Sequence, residues 1–320
     1  MLFQQEAPPL QCLRSSLPFA TLVVVVLLLT LPACSQQPTN TTSLTVCGAG
    51  ITVRYEGQPT VAKIQDLNGW VQRAGEAVCT YYGKFPVARL TMDVHLRGGA
   101  GVHAGTTYPE DGGYINISVG SETTPAQLDN DWMLTHEMIH LAFPSMSRRH
   151  HWIEEGISVY VEPIARVQAG QLTTERMWSD VIRDMWQGEP ASGDRGLDNT
   201  HTWGRTYWGG AIFCLEADLR IRKQTKNKKG LQDALRGILN AGGNITQDWE
   251  IERALAVGDK ATGTTVLTDL YNEMRDQSSE VDLSALWKQM GMQRLPDGSV
   301  RFDGSTSMAA EREAITRKEP

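Results

Sequence analysis

The chain has 320 residues, 41% of them hydrophobic and 21% charged, with a formal net charge of −7. That composition is globular and excludes a disordered chain, and the length suits one large domain or two modest ones. The acidic balance leaves no basic field for nucleic acid; the one dense run of cations, "RIRKQTKNKK" at residues 220–229, is expected to be a solvated helix end, where positive charge suits the helix dipole.

Residues 17–34 carry no charge, follow Arg14 and end on Leu31-Pro32-Ala33-Cys34. This stretch resembles the lipobox of a bacterial lipoprotein, although Pro32 stands where a small residue is usual. It implies an exported chain with a signal peptide over residues 1–33, lipidation of Cys34, and a polar tether over residues 34–44. An uncleaved membrane anchor and ordinary secretion are the alternatives; all three export the domain to the cell envelope or beyond. In that oxidising setting Cys47, Cys79 and Cys214 remain to be paired. Because Cys214 sits in the apolar helical run "GGAIFCLEADL", a buried thiol suits it, and Cys47 with Cys79 is the candidate disulfide.

Next in chain order, "LTVCGAGITVRYEG" has strand alternation and turn residues, and residues 59–83 have helical spacing with Gly83 as a stop. In "VARLTMDVHL", apolar Leu90, Met92, Val94 and Leu96 alternate with polar residues, as in a strand with one wet face. "RGGAGVHAGTTYPEDGG" is too rich in glycine for a regular element and is expected to be a loop leading into the strand "GYINISVG". A helix is expected from near Pro125 until Pro144 stops it, then a short helical segment "IEEGISVYVE" ended by Pro163, then further helices to the C-terminus. The expected organisation is a strand-rich subdomain over residues 45–124 and a helical one over residues 125–320.

Within the expected helix lies "THEMIH", residues 135–140. Four residues at 3.6 per turn bring His136 and His140 to one face, roughly 6 Å apart along the axis, where both imidazoles reach one ion. Glu137 projects beside them, where it reaches a water on that ion rather than the ion itself. This is the spacing of a zinc peptidase. A catalytic zinc needs a third protein ligand, and "WIEEGISVYVE" offers Glu154 and Glu155, about 100° apart around a helix.

On these residues the sequence resembles the gluzincin peptidases, in particular the aminopeptidase N-like and glycyl aminopeptidase-like families. Their third ligand is the glutamate before glycine in Trp-x-x-Glu-Gly-x-x-x-Tyr, matched here by Trp152, Glu155, Gly156 and Tyr160. The resemblance therefore implies one zinc ion held by His136, His140 and Glu155, with Glu137 as general base. It also implies Glu162 as the carboxylate that orients a zinc histidine, and Tyr207, three residues before Gly210, as an oxyanion donor. The implied fold is α+β and thermolysin-like: a small mixed sheet packed on the zinc helix, followed by a mainly helical part. The implied activity is hydrolysis of a peptide or protein substrate. The Gly-x-Met-Glu-Asn segment that binds a substrate's free amine in these families is absent, and "GGYINISVG" is expected in its place as an edge strand. A non-catalytic zinc-binding lipoprotein with a peptidase fold and a zinc hydrolase of a non-peptide amide are the rival readings.

Overall fold

The structure, a computed structural model, describes residues 40–318. The expected signal segment 1–33, Cys34 and the start of the tether lie outside these residues. Strands β1 (Asn40–Val46) and β2 (Ala49–Glu56) form a hairpin, so the last residues of the expected tether belong to a strand. Helix α1 (Val61–Tyr82) crosses over to β3 (Arg89–Arg97), which is parallel to β2; β4 (Val102–Tyr108) and β5 (Tyr114–Gly120) complete a sheet of order β1-β2-β3-β5-β4. Thr60 caps α1 through its hydroxyl, and Gly83 ends it in the left-handed region, where a residue without Cβ is unstrained.

Alternation decides which face of the sheet is dry. Ile51, Val53 and Tyr55, then Leu90, Met92 and Val94, then Ile115, Ile117 and Val119 are all buried, and α1 packs within the same apolar cluster through Trp70, Val71 and Ala74. Intervening positions carry polar groups such as Arg54, paired with Asp93, which also accepts from the Tyr114 hydroxyl. A disulfide joins Cys47, in the β1–β2 turn, to Cys79 of α1, while Cys214 is a buried free thiol.

The sheet departs from the sequence expectation at its edge. "GGYINISVG" is not the edge strand: β5 is paired on both sides, by β3 and β4. The edge on this side of the sheet is β4, which lies in the glycine-rich stretch expected to be a loop. Between Val102 and Tyr108 its residues are small or polar, and none of the strand is fully buried, so alternation carries no apolar signal there.

The helices follow. The single helix expected from Pro125 to Pro144 is two, α2 (Pro125–Asp129) and α3 (Met133–His140). Asp131 divides them: its carboxylate accepts the backbone N–H groups of Met133 and Leu134 and the indole N–H of Trp70, starting α3 afresh. Helix α4 (His151–Gln168) does not stop at Pro163. The ring costs one backbone hydrogen bond, on the order of 3 kcal/mol, but Ile164 and Ala165 beyond it are almost wholly buried, and packing outweighs the loss.

Helix α5 (Thr174–Asp184) precedes a π-helical turn at Arg205–Gly209, which runs into α6 (Gly210–Thr225). At the end of α6 the cationic run is only partly solvated, since Arg222 is buried against Asp218 and Arg220 pairs with Glu216 and Glu273. Beyond it lie α7 (Leu231–Asn240), α8 (Ile251–Thr262), α9 (Val266–Met274) and α10 (Leu283–Gln289), then a small hairpin of β6 (Met292–Arg294) and β7 (Val300–Phe302), and α11 (Ala309–Thr316). No described helix is long and apolar enough to cross a membrane.

Candidate active site

Helix α3 presents His136 and His140 to the first turns of α4. The Nε2 atoms of the two histidines are 3.3 Å apart, and Glu155 Oε2 lies 3.2 Å from that of His136 and 3.5 Å from that of His140. Tetrahedral bonds of about 2.0–2.1 Å to a zinc ion place donor atoms about 3.3–3.4 Å from one another. The triangle therefore has the size zinc requires, and two imidazoles with one carboxylate are the donor set of a catalytic site with a fourth position open.

Packing explains why Glu155 rather than Glu154 arrives there. Gly156 meets α6 at Gly210: a Cβ on Gly156 would lie 2.3 Å from the Gly210 carbonyl carbon, and one on Gly210 would lie 2.1 Å from the Trp152 oxygen. Two glycines at the crossing let the helix backbones touch, which draws the preceding turn, with Tyr207, against α4. The start of α4 is held by the buried Asp198, which accepts from the Trp152 indole at 2.8 Å, the Tyr271 hydroxyl at 2.8 Å and His150 Nδ1 at 3.0 Å. Glu154 faces elsewhere, toward the Met146 N–H and His151.

Charge is concentrated at this point. Burial alone would lower the His140 pKa, but its hydrogen bond to Glu155 and the charges of Glu155, Glu137 and Glu154 raise it. His151, bonded to Glu154 and Glu155, is pushed up to about 10. Burial acts to raise the Glu155 pKa, yet hydrogen bonds from His136, His140 and His151 outweigh it and hold the carboxyl well below the usual range.

Glu137 is buried behind the histidines, and β4 shapes its place. Thr107 Oγ1 lies 2.6 Å from Glu137 Oε2 and 2.9 Å from the Glu137 backbone oxygen, either of which it serves as donor. A Cβ on Gly105 would stand 2.7 Å from Glu137 Cγ, so only glycine leaves room for the carboxylate there. Tyr207 stacks over His136 with ring centroids 6.4 Å apart. Burial, then the Glu155 and Glu137 carboxylates, push its phenol up to about 12. The π-helical turn that carries it has the wide backbone geometry often found at functional sites.

Glu162 is not bonded to a zinc histidine. Its carboxylate accepts from Arg166 at 2.9 Å, and burial raises its pKa to about 7 in spite of that partner. His136 Nδ1 is buried without a hydrogen-bond partner. Both residues line one cavity of about 770 Å³, together with Gly105, Glu137, Tyr207 and two exposed tryptophans, Trp132 and Trp203. His103 and His201 are exposed.

Compared with solved structures, the chain is similar to an aminopeptidase N family protein from Idiomarina loihiensis, at TM-score 0.58 and 12% identity, covering 80% of this chain and 50% of that one. It is also similar to an M1 zinc metallopeptidase variant from Deinococcus radiodurans at TM-score 0.50 and 11% identity, covering 76% and 54%. The same enzyme bound to a Tyr-Ser-Ala substrate matches at 0.50 and 13%, covering 76% and 53%. The fold is similar to that of M1 zinc metallopeptidases. The chain spans about half the length of these structures. No family model matches the sequence, and no curated protein does.

Sequence reading brought His136, Glu137, His140, Glu155 and Tyr207 forward, and the fold gathers all five. It missed Gly105 and Thr107, hidden in the stretch expected to be a loop, and gave no place to His151, which is exposed but contacts Glu154 and Glu155. It also passed over Trp132 and Trp203, for which the only signal was a large apolar residue placed one turn before His136 and Tyr207.

Proposed function

We propose that this chain is a zinc-dependent metallopeptidase with a thermolysin-like layer of sheet on zinc helix, hydrolysing peptide bonds at the bacterial cell envelope. The observation that carries the reading is the zinc-sized triangle of His136, His140 and Glu155 with the buried Glu137 beside it.

A zinc ion held by His136, His140 and Glu155 would supply Lewis acidity, polarising a carbonyl and making a water more acidic. Glu137, fixed by Thr107, accepts a proton from the attacking water and returns it to the leaving nitrogen. Tyr207, a phenol that carries its proton near neutral pH, donates a hydrogen bond to the developing oxyanion, an interaction worth about 3 kcal/mol in comparable sites. The free edge of β4, whose Ala104 and Gly105 border the cavity, pairs with an extended substrate backbone. A zinc-binding scaffold would need the three ligands but neither Glu137 nor the hydroxyl that orients it.

The expected result for the exported domain is one zinc per chain and cleavage of an unbiased peptide library, abolished by chelation and restored by zinc. Stoichiometric zinc without turnover would favour the scaffold; amide hydrolysis confined to non-peptide substrates would favour the other rival.

The envelope location rests on Leu31-Pro32-Ala33-Cys34, which lies outside the described residues. Cys34→Ala is expected to block processing or release the protein from membranes. Unchanged membrane association with residues 1–33 retained would point to a spanning anchor instead.

A further inference from the structure

We propose that Trp132 and Trp203 form an aromatic subsite that holds a large apolar or aromatic side chain next to the scissile bond. The inference rests on the peptidase reading and names the substrate class it leaves open.

Large apolar side chains exposed to water are few among the described residues, and two of them stand in this one cavity: Trp132 is 51% exposed and Trp203 59%. They come from separate segments, Trp132 just before α3 and Trp203 just before the π-helical turn. Each is braced by a residue of the reaction centre. The Trp132 ring meets His136 edge to face at 5.6 Å, and Trp203 stacks on Tyr207 at 5.6 Å. Tyr207 in turn stacks on His136, so four rings form a continuous series across the cleft. A side chain resting on either indole is thereby beside the carbonyl that Tyr207 serves.

The rest of the cavity selects against charge. Its cations are each matched by a carboxylate of the same lining: Arg166 by Glu162, Arg176 by Asp180, and Arg183 by Asp184. A charged side chain would lose water: a lysine or arginine would find no uncompensated carboxylate in this lining except Glu137, which is occupied in proton transfer, and an acidic side chain would find no uncompensated arginine or lysine. An apolar ring loses nothing by that transfer and covers the exposed indoles, an arrangement aromatic pairs favour. The cavity, at about 770 Å³, is within the range of small-molecule sites and roomy for one such side chain.

The test uses a peptide set varied only at the residues flanking the cleaved bond. Peptides with phenylalanine, tryptophan or leucine there are expected to show kcat/KM about 10- to 100-fold above their alanine counterparts. Trp132→Leu and Trp203→Leu each reduce that ratio several-fold, and Trp→Phe at the same positions restores most of it. Binding of fluorescein-labelled peptides to the zinc-loaded Glu137→Gln protein, followed by anisotropy, reads the same preference without turnover. Hydrolysis that ignores side-chain size, or that favours charged residues, overturns the subsite and leaves the peptidase reading standing. Preferential binding of aromatic peptides, lost in the tryptophan variants, with no cleavage by the wild type, does the reverse. Neither binding nor cleavage overturns both.

Discussion

Replacing Glu137 by glutamine is expected to leave zinc bound and to lower peptide hydrolysis by roughly 10²–10⁴-fold. The amide keeps the size of the carboxylate, so it still fits against Gly105, where no Cβ could be accommodated. Thr107 still finds an acceptor in the amide oxygen, or in the backbone oxygen 2.9 Å away. What the variant loses is basicity, since an amide does not take up a proton near neutral pH. Zinc content by elemental analysis and kcat/KM on a cleaved peptide check the expectation together. A variant that holds zinc and turns over like the wild type, with contaminating peptidase excluded, would remove Glu137 from the mechanism.

The sequence was most legible where one strong physical signal acted alone. Strand β3 alternates because one of its faces is dry, and α1 has both a hydroxyl cap and a glycine stop. The spacing of His136 and His140 follows from helix geometry without tertiary information. Legibility failed where tertiary contacts decide. Strand β4 has no apolar alternation because its role is to lie beside Glu137, which demands glycine and threonine rather than valine and isoleucine. The carboxylate of Asp131 splits one apparent helix in two by capping the second, and α4 passes Pro163 because buried residues lie beyond it. Glu162 has the register of a partner for a zinc histidine, yet Arg166, one turn along the same helix, takes its carboxylate, a competition that spacing to the zinc motif alone does not reveal.

The adjacent pair Glu154 and Glu155 offers the sharpest division of roles, because the two side chains differ only in where α4 points them. Glu155→Ala is expected to weaken zinc binding by more than about 100-fold. It removes one of three donors and the only negative charge among them, a larger loss than the 10- to 100-fold typical of residues that merely orient a ligand. Glu154→Ala acts at one remove. Its carboxylate holds His151, which contacts Glu155 Oε1 at 3.2 Å, so its loss loosens the ligand without deleting it, and zinc affinity is expected to fall by less than about tenfold. Competition titration with a chromophoric zinc chelator measures both. The reverse pattern, with Glu154→Ala empty and Glu155→Ala loaded, would require α4 to be rotated by about 100°. That rotation would carry Gly156 away from Gly210, where the two backbones now touch and no side chain has room. The ligand assignment and the glycine crossing therefore stand or fall together, and zinc affinity in these two variants tests both.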